Sequence, residues 1–202
     1  MSERRKSSGD RKAEIVDTTL RLLTVTPVEA LSTARIAADV GITQAGIFRH
    51  FRTKDDLWAA VLEVVEARAV SAWDAAEAGE HRPLARLRAV LQAQLGLIAE
   101  VPAIPVLIFN QGRATAETAM RPIHLRVMQG LRGRIMAQLH AAEDAGEIAG
   151  LAPEDAVDLF LGLVQGTVLR WRLSDCAFDL VAEGLWLVDI QIALICARGP
   201  EA

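Results

Sequence analysis

The chain has 202 residues, of which 51% are hydrophobic and 24% charged, and its net charge is −4. That balance excludes a disordered chain and leaves room for one domain, or a small domain joined to a larger one. With no Tyr, 4% aromatic residues and many Ala and Leu, helix is favoured over sheet, and no run of about 18 uncharged apolar residues exists to span a membrane.

Residues 1–9 carry Arg4, Arg5 and Lys6 and read equally as a basic arm that touches phosphates or as a disordered end. The opening M-S-E-R-R-K-S-S-G-D-R-K has no apolar segment behind it, unlike a secretory signal. Cys176 and Cys196, the only cysteines, are therefore expected to be reduced structural thiols in the cytoplasm. A first helix is expected from about Asp10 to Thr24, with Ile15, Val16, Thr19, Leu22 and Leu23 on its apolar stripe. Thr26-Pro27 stops it.

From Ser32 to Leu57 the sequence reads as two short helices, a tight turn between them, and the start of a third. Ser32 or Thr33 can cap the first, which turns Ile36, Ala37 and Val40 to one side. Gly41 follows where a left-handed residue commonly ends a helix. Thr43 can cap the second, with Ile47, Phe48 and Phe51 inward and Gln44, Ala45 and Arg49 outward. Thr53 can cap the third, with Asp55 and Asp56 in a first turn that suits acidic residues. This spacing fits a helix-turn-helix, and equally an ordinary helical hairpin of an all-α core.

The third helix continues to about Ala78. Leu57, Val61, Val64, Val65 and Arg68 mark one face, and Trp58, Leu62, Val65 and Ala69 an adjacent one. Gly79 ends it. Further helices are expected from Arg82-Pro83 to about Glu100, Val106 to Gly112, Thr118 to Ala145, Pro153 to Leu173 and Phe178 to Ala197. That makes about nine helices and no strand. The last two are apolar on most sides. They fit either one thick core or, as we prefer, a subunit interface, with Gly162 and Gly166 allowing close approach.

Charge is unevenly placed. Residues 1–54 hold 10 Lys and Arg against 6 Asp and Glu, or +4, so 12 against 20, or −8, remain for residues 55–202. A basic first quarter suits an end that meets a polyanion, although a solvated charged tail gives the same pattern.

The run Ile36-Ala37 … Val40-Gly41-Ile42-Thr43-Gln44-Ala45-Gly46-Ile47-Phe48-Arg49-His50-Phe51-Arg52-Thr53-Lys54-Asp55-Asp56-Leu57 closely resembles the DNA-binding motif of the TetR/AcrR repressors. The resemblance covers about residues 10–60. It implies an all-α homodimer with a flexible arm at 1–9, a helix-turn-helix domain at 10–57 and a ligand-binding and dimerisation domain at 58–202. It makes the helix from Thr43 to Phe51 the recognition helix. Thr43, Gln44 and Ala45 would face base edges of double-stranded operator DNA, and Gln44 suits adenine N6/N7. Thr33, His50 and Lys54 would contact phosphate. The family usually has Tyr where this chain has Phe48, so a hydroxyl is missing from the interface, and Arg49 or Arg52 would have to compensate.

The resemblance also implies dimerisation through the last two helices and a small-molecule effector, with no cofactor or metal. Polar groups on apolar helices are its candidate contacts: Gln92, Asn110, Gln111, His124, Gln165 and Arg170. Trp73, Phe109, Met128, Phe160 and Trp171 could form walls. Of these, Phe109, Asn110, His124, Met128, Gln165 and Trp171 make the expected ligand set for a hydrophobic or amphipathic molecule. A lone Gln or His on such a helix is more often a hydrogen-bonded core or interface residue, and Met and Trp at helical spacing are usually core. The expected function is a repressor released by a small ligand. A DNA-binding adaptor that acts through protein contacts, resembling nucleoid-occlusion factors, is the alternative. An enzyme is disfavoured, because the sequence has no metal-ligand spacing, phosphate loop or G-x-S-x-G.

Overall fold

Eight α-helices and one 3-10 turn account for most of the residues that the computed structural model describes, which are 7–105, 120–149 and 151–196, apart from the side chain of Glu29. No described residue lies in a strand. The chain divides into two compact units, Met1–Glu66 with Val101–His124, and Ala67–Glu100 with Leu125–Ala202.

In the first unit α1 spans Ser8–Leu23, two residues earlier than the apolar stripe suggests. The cause is a capping box. Asp10 N–H donates to Ser7 Oγ at 3.1 Å, and Ser7 N–H donates to Asp10 Oδ2 at 3.2 Å. The 3-10 turn Val28–Ala30 leads into α2 (Thr33–Val40), α3 (Gln44–His50) and α4 (Lys54–Ala78). Helices α1, α2 and α3 pack on one another around fully buried Ile15, Leu31, Ile36, Ile47 and Leu57.

In the second unit the remainder of α4 joins α5 (Pro83–Glu100), α6 (Met120–Asp144, from Leu125 onward), α7 (Pro153–Leu173) and α8 (Leu180–Cys196). Helix α8 packs chiefly on α5 and α7. Trp73, Leu91, Leu95, Ile135 and Phe160 lie at the centre, and Trp73 Nε1–H donates to buried Gln94 Oε1 at 3.1 Å. Along α4, Leu57, Val61 and Val65 of one face and Trp58, Leu62 and Ala69 of the adjacent one are buried, but Arg68 is exposed because its charge keeps it in water.

Helices α7 and α8 each leave an apolar stripe uncovered. On α7 it runs through Leu159, Gly162, Gly166, Leu169 and Leu173, and on α8 through Trp186, Ile190 and Leu194. A Cβ at Gly162 or Gly166 would meet open space, so their small size serves no contact among the described residues. Cys176 is half-buried but Cys196 is exposed, so the second thiol is not part of the core as expected. The short helix expected over 106–112, with Phe109, Asn110 and Gln111, lies outside the described residues, as do Arg4, Arg5 and Lys6 of the basic arm.

Candidate nucleic-acid interface

The geometry of α2 and α3 follows from three local signals. Ser32, not Thr33, caps α2, accepting from Arg35 N–H at 3.1 Å. Gly41 adopts φ 77° and ψ 32°, a left-handed conformation that ends α2 and reverses the chain. Thr43 Oγ1 then accepts from Gly46 N–H at 3.1 Å and starts α3. A capping box follows at the head of α4. Thr53 Oγ1 accepts from Asp56 N–H, and Asp56 Oδ2 accepts from Thr53 N–H, each at 3.0 Å.

Helix α3 is held by Ile47, 1% exposed, with Phe51, 5% exposed, one turn on. These two fill the inward side. Phe48 therefore does not point inward as its hydrophobicity suggests: it is 42% exposed and shares the outer face with Gln44, Ala45 and Arg49. Thr43 is exposed beside them and His50 is half-buried. The outer face thus combines a carboxamide, a small side chain, an aromatic ring and a guanidinium at helical spacing.

The cations around it differ in their commitments. Arg35 is paired with Asp39 at 2.9 Å. Arg49 and Arg52 are exposed and have no ion pair among the described residues. Lys54 donates from Nζ to the Leu31 carbonyl at 3.2 Å and lies 5.4 Å from the Trp58 ring centroid. Its ammonium is thereby held at the N-terminus of α4, where backbone N–H groups add positive potential. Lys12 stands 5.7 Å from the Phe51 ring centroid. No spacing rule joins residues 12 and 51, so this cation had no signal in the sequence. Thr33 is 7% exposed, and its hydroxyl accepts from Gln44 Nε2 at 2.7 Å.

The expected ligand set is scattered. In the first unit His124 is half-buried, with a shielded Nδ1 that has no hydrogen-bond partner among the described residues, and burial pushes its pKa down. In the second unit Met128 is half-buried, whereas Gln165 is exposed on α7 and Trp171 is buried and donates to the Phe178 carbonyl at 3.0 Å. Gln165 and Trp171 thus leave α7 on different sides. Gln92 is exposed, and exposed Arg170 pairs with Glu183 at 2.7 Å, while Phe160 and Trp73 are core residues. An open groove along α1 is lined by Asp10, Ala13, Glu14, Asp17 and Thr18, none of them in the expected ligand set. Among the described residues, no group of three His, Cys, Asp or Glu side chains could hold a metal ion, and no helix is long and apolar enough to cross a membrane.

Residues 15–61 match the family model described as bacterial regulatory proteins, tetR family. The chain is 26% identical over 152 residues to the nucleoid occlusion factor SlmA of Sodalis glossinidius, spanning 71% of this chain and 77% of that protein. A TetR transcription regulator from Haloarcula marismortui superposes with a TM-score of 0.79 at 23% identity, over 93% of this chain and 98% of that one. The regulator FadR from Bacillus subtilis, solved in complex with stearoyl-CoA, superposes with a TM-score of 0.72 at 17% identity, over 90% and 97%.

Proposed function

We propose that this chain, whose residues 15–61 match the tetR family model, is a dimeric repressor that binds operator DNA through α3 and releases it when a small amphipathic molecule binds. The outer face of α3 carries this reading. Gln44, Ala45, Phe48 and Arg49 stand in solvent on a helix anchored by buried Ile47. Among the described residues only Gln44 of that set has a side-chain hydrogen bond, to Thr33, and a major groove suits the exposed set. Thr43, Gln44 and Ala45 face bases, while Arg49, His50 and Lys54 take phosphates.

Two recognition helices must meet half-sites about one turn, ~34 Å, or a multiple apart, so the protein acts as a dimer. The uncovered stripes of α7 and α8 supply the dimer surface, with Gly162 and Gly166 letting the helices approach. An effector that favours another spacing weakens operator binding by its differential affinity, typically ~1–3 kcal/mol. The acyl ligand of the FadR structure supports an amphipathic effector. Within the second unit, half-buried Met128 is its proposed contact, with Gln165 and Trp171 the weaker members.

The similarity to nucleoid occlusion factors favours a second reading, a DNA-bound adaptor that works through protein contacts. Genome-wide mapping of bound DNA separates the two. A repressor gives one or a few sites beside regulated genes, and an adaptor gives many dispersed sites. Absence of any enriched site would remove both.

A further inference from the structure

The bond between Gln44 and Thr33 changes what each residue can do at the DNA. Gln44 is the first residue of α3 and Thr33 the first of α2, eleven positions apart in sequence. Ser32 already caps α2, so the Thr33 hydroxyl is not needed by its own helix. It accepts from Gln44 Nε2 at 2.7 Å and is 7% exposed, which hides it from a phosphate. The same segment is held from the other side by Lys54, whose Nζ donates to the Leu31 carbonyl at 3.2 Å. A long side chain with several rotors is thus tied at one end to an anchored strut.

A carboxamide carries two N–H donors and one oxygen acceptor. With one N–H used on Thr33, Gln44 presents its oxygen and its second N–H. That pair complements adenine, which offers an N6 donor and an N7 acceptor in the major groove. The flipped carboxamide would turn its oxygen to Thr33 and both donors outward, a set that suits guanine O6 and N7. Resting on the DNA-reading role of α3, we propose that Thr33 is a positioning residue that locks the Gln44 carboxamide in the adenine-reading orientation, rather than a phosphate contact. Pre-ordering the side chain also removes part of the rotamer entropy lost on binding.

The test uses the full-length protein and sequencing of duplexes retained from a randomised library, with thermal melts to confirm folding. Wild type should prefer adenine at one position of each half-site, roughly 5- to 100-fold over other bases. Thr33→Val, which keeps the shape and removes the acceptor, should cut that preference about 2- to 10-fold and leave the other positions alone. Thr33→Ser should retain it. Gln44→Ala should abolish it, and adding Thr33→Val to Gln44→Ala should change nothing further. A uniform loss of affinity across all duplexes on Thr33→Val, with a shallower salt dependence, would make Thr33 a phosphate contact and overturn the proposal. So would undiminished preference in Thr33→Val, or guanine at the Gln44 position in wild type. A wild type with no preference anywhere would instead remove the DNA-reading role of α3 itself.

Discussion

Trp186 gives the sharpest test of the proposed dimer. It lies on the uncovered stripe of α8 and is 58% exposed in the single chain. A Trp offers about 150–250 Å² for burial, so about 90–145 Å² of it stays in water until a partner arrives. At ~25 cal/mol per Å², covering that area contributes about 2–3.6 kcal/mol, and a two-fold interface uses the residue twice. Ordering and imperfect burial offset part of this. Trp186→Ala should therefore weaken dimerisation by at least about 2 kcal/mol, a rise of about 30-fold in the dissociation constant. Within the monomer the covered remainder of the ring, by the same conversion, should cost folding at most about 1.6–2.6 kcal/mol. Sedimentation over a concentration series reads the first quantity, and urea unfolding of the dilute monomer reads the second. A wild type that stays monomeric, or a Trp186→Ala protein that dimerises as wild type does, would refute the assignment of this face.

Three further outcomes follow from other residues. Phe48→Tyr returns a hydroxyl to an exposed ring on α3 and should tighten operator binding by about 1 kcal/mol in fluorescence anisotropy; unchanged affinity would mean that the ring edge does not reach a phosphate. Lys54→Ala should weaken binding to all duplexes alike and lower the salt slope by about 1. It should also cost some stability, because the Leu31 carbonyl loses its donor. Burial holds the His124 pKa below its ordinary value near 6.5, so the unfolded chain takes up a proton that the folded chain refuses as pH falls below about 6.5. Stability should decline in that direction, and His124→Leu should flatten the decline in denaturant titrations. A decline of unchanged slope would assign it to other groups.

The helix-turn-helix was legible because its determinants are local. Gly41 adopts the left-handed conformation its position demanded, and Thr43 and Thr53 cap the helices they precede. Errors arose where tertiary partners decide. Hydrophobicity alone points Phe48 inward, but Ile47 and Phe51 already occupy that side of a seven-residue helix. Thr33 offered the same chemistry as Ser32 for a cap, and only the fold shows that Ser32 takes it and Thr33 receives Gln44. The ligand set was the least legible part. Polar residues on apolar helices can face a cavity, solvent or a core partner, and Gln165 and Trp171 illustrate the last two. The uncovered stripes of α7 and α8 were readable as excess apolar surface, yet Cys196 at the end of α8 proved exposed rather than structural.

The most direct test of the DNA-reading claim compares binding of the purified protein to a chromosomal fragment recovered by mapping and to a scrambled duplex of equal length, across a salt series. Sequence-specific recognition through α3 predicts at least ~10³-fold tighter binding to the recovered fragment near physiological salt, with the difference reduced by roughly 5- to 100-fold per half-site in Gln44→Ala. Equal affinity for both duplexes, falling together as salt rises, would show attraction to phosphate alone and contradict the account.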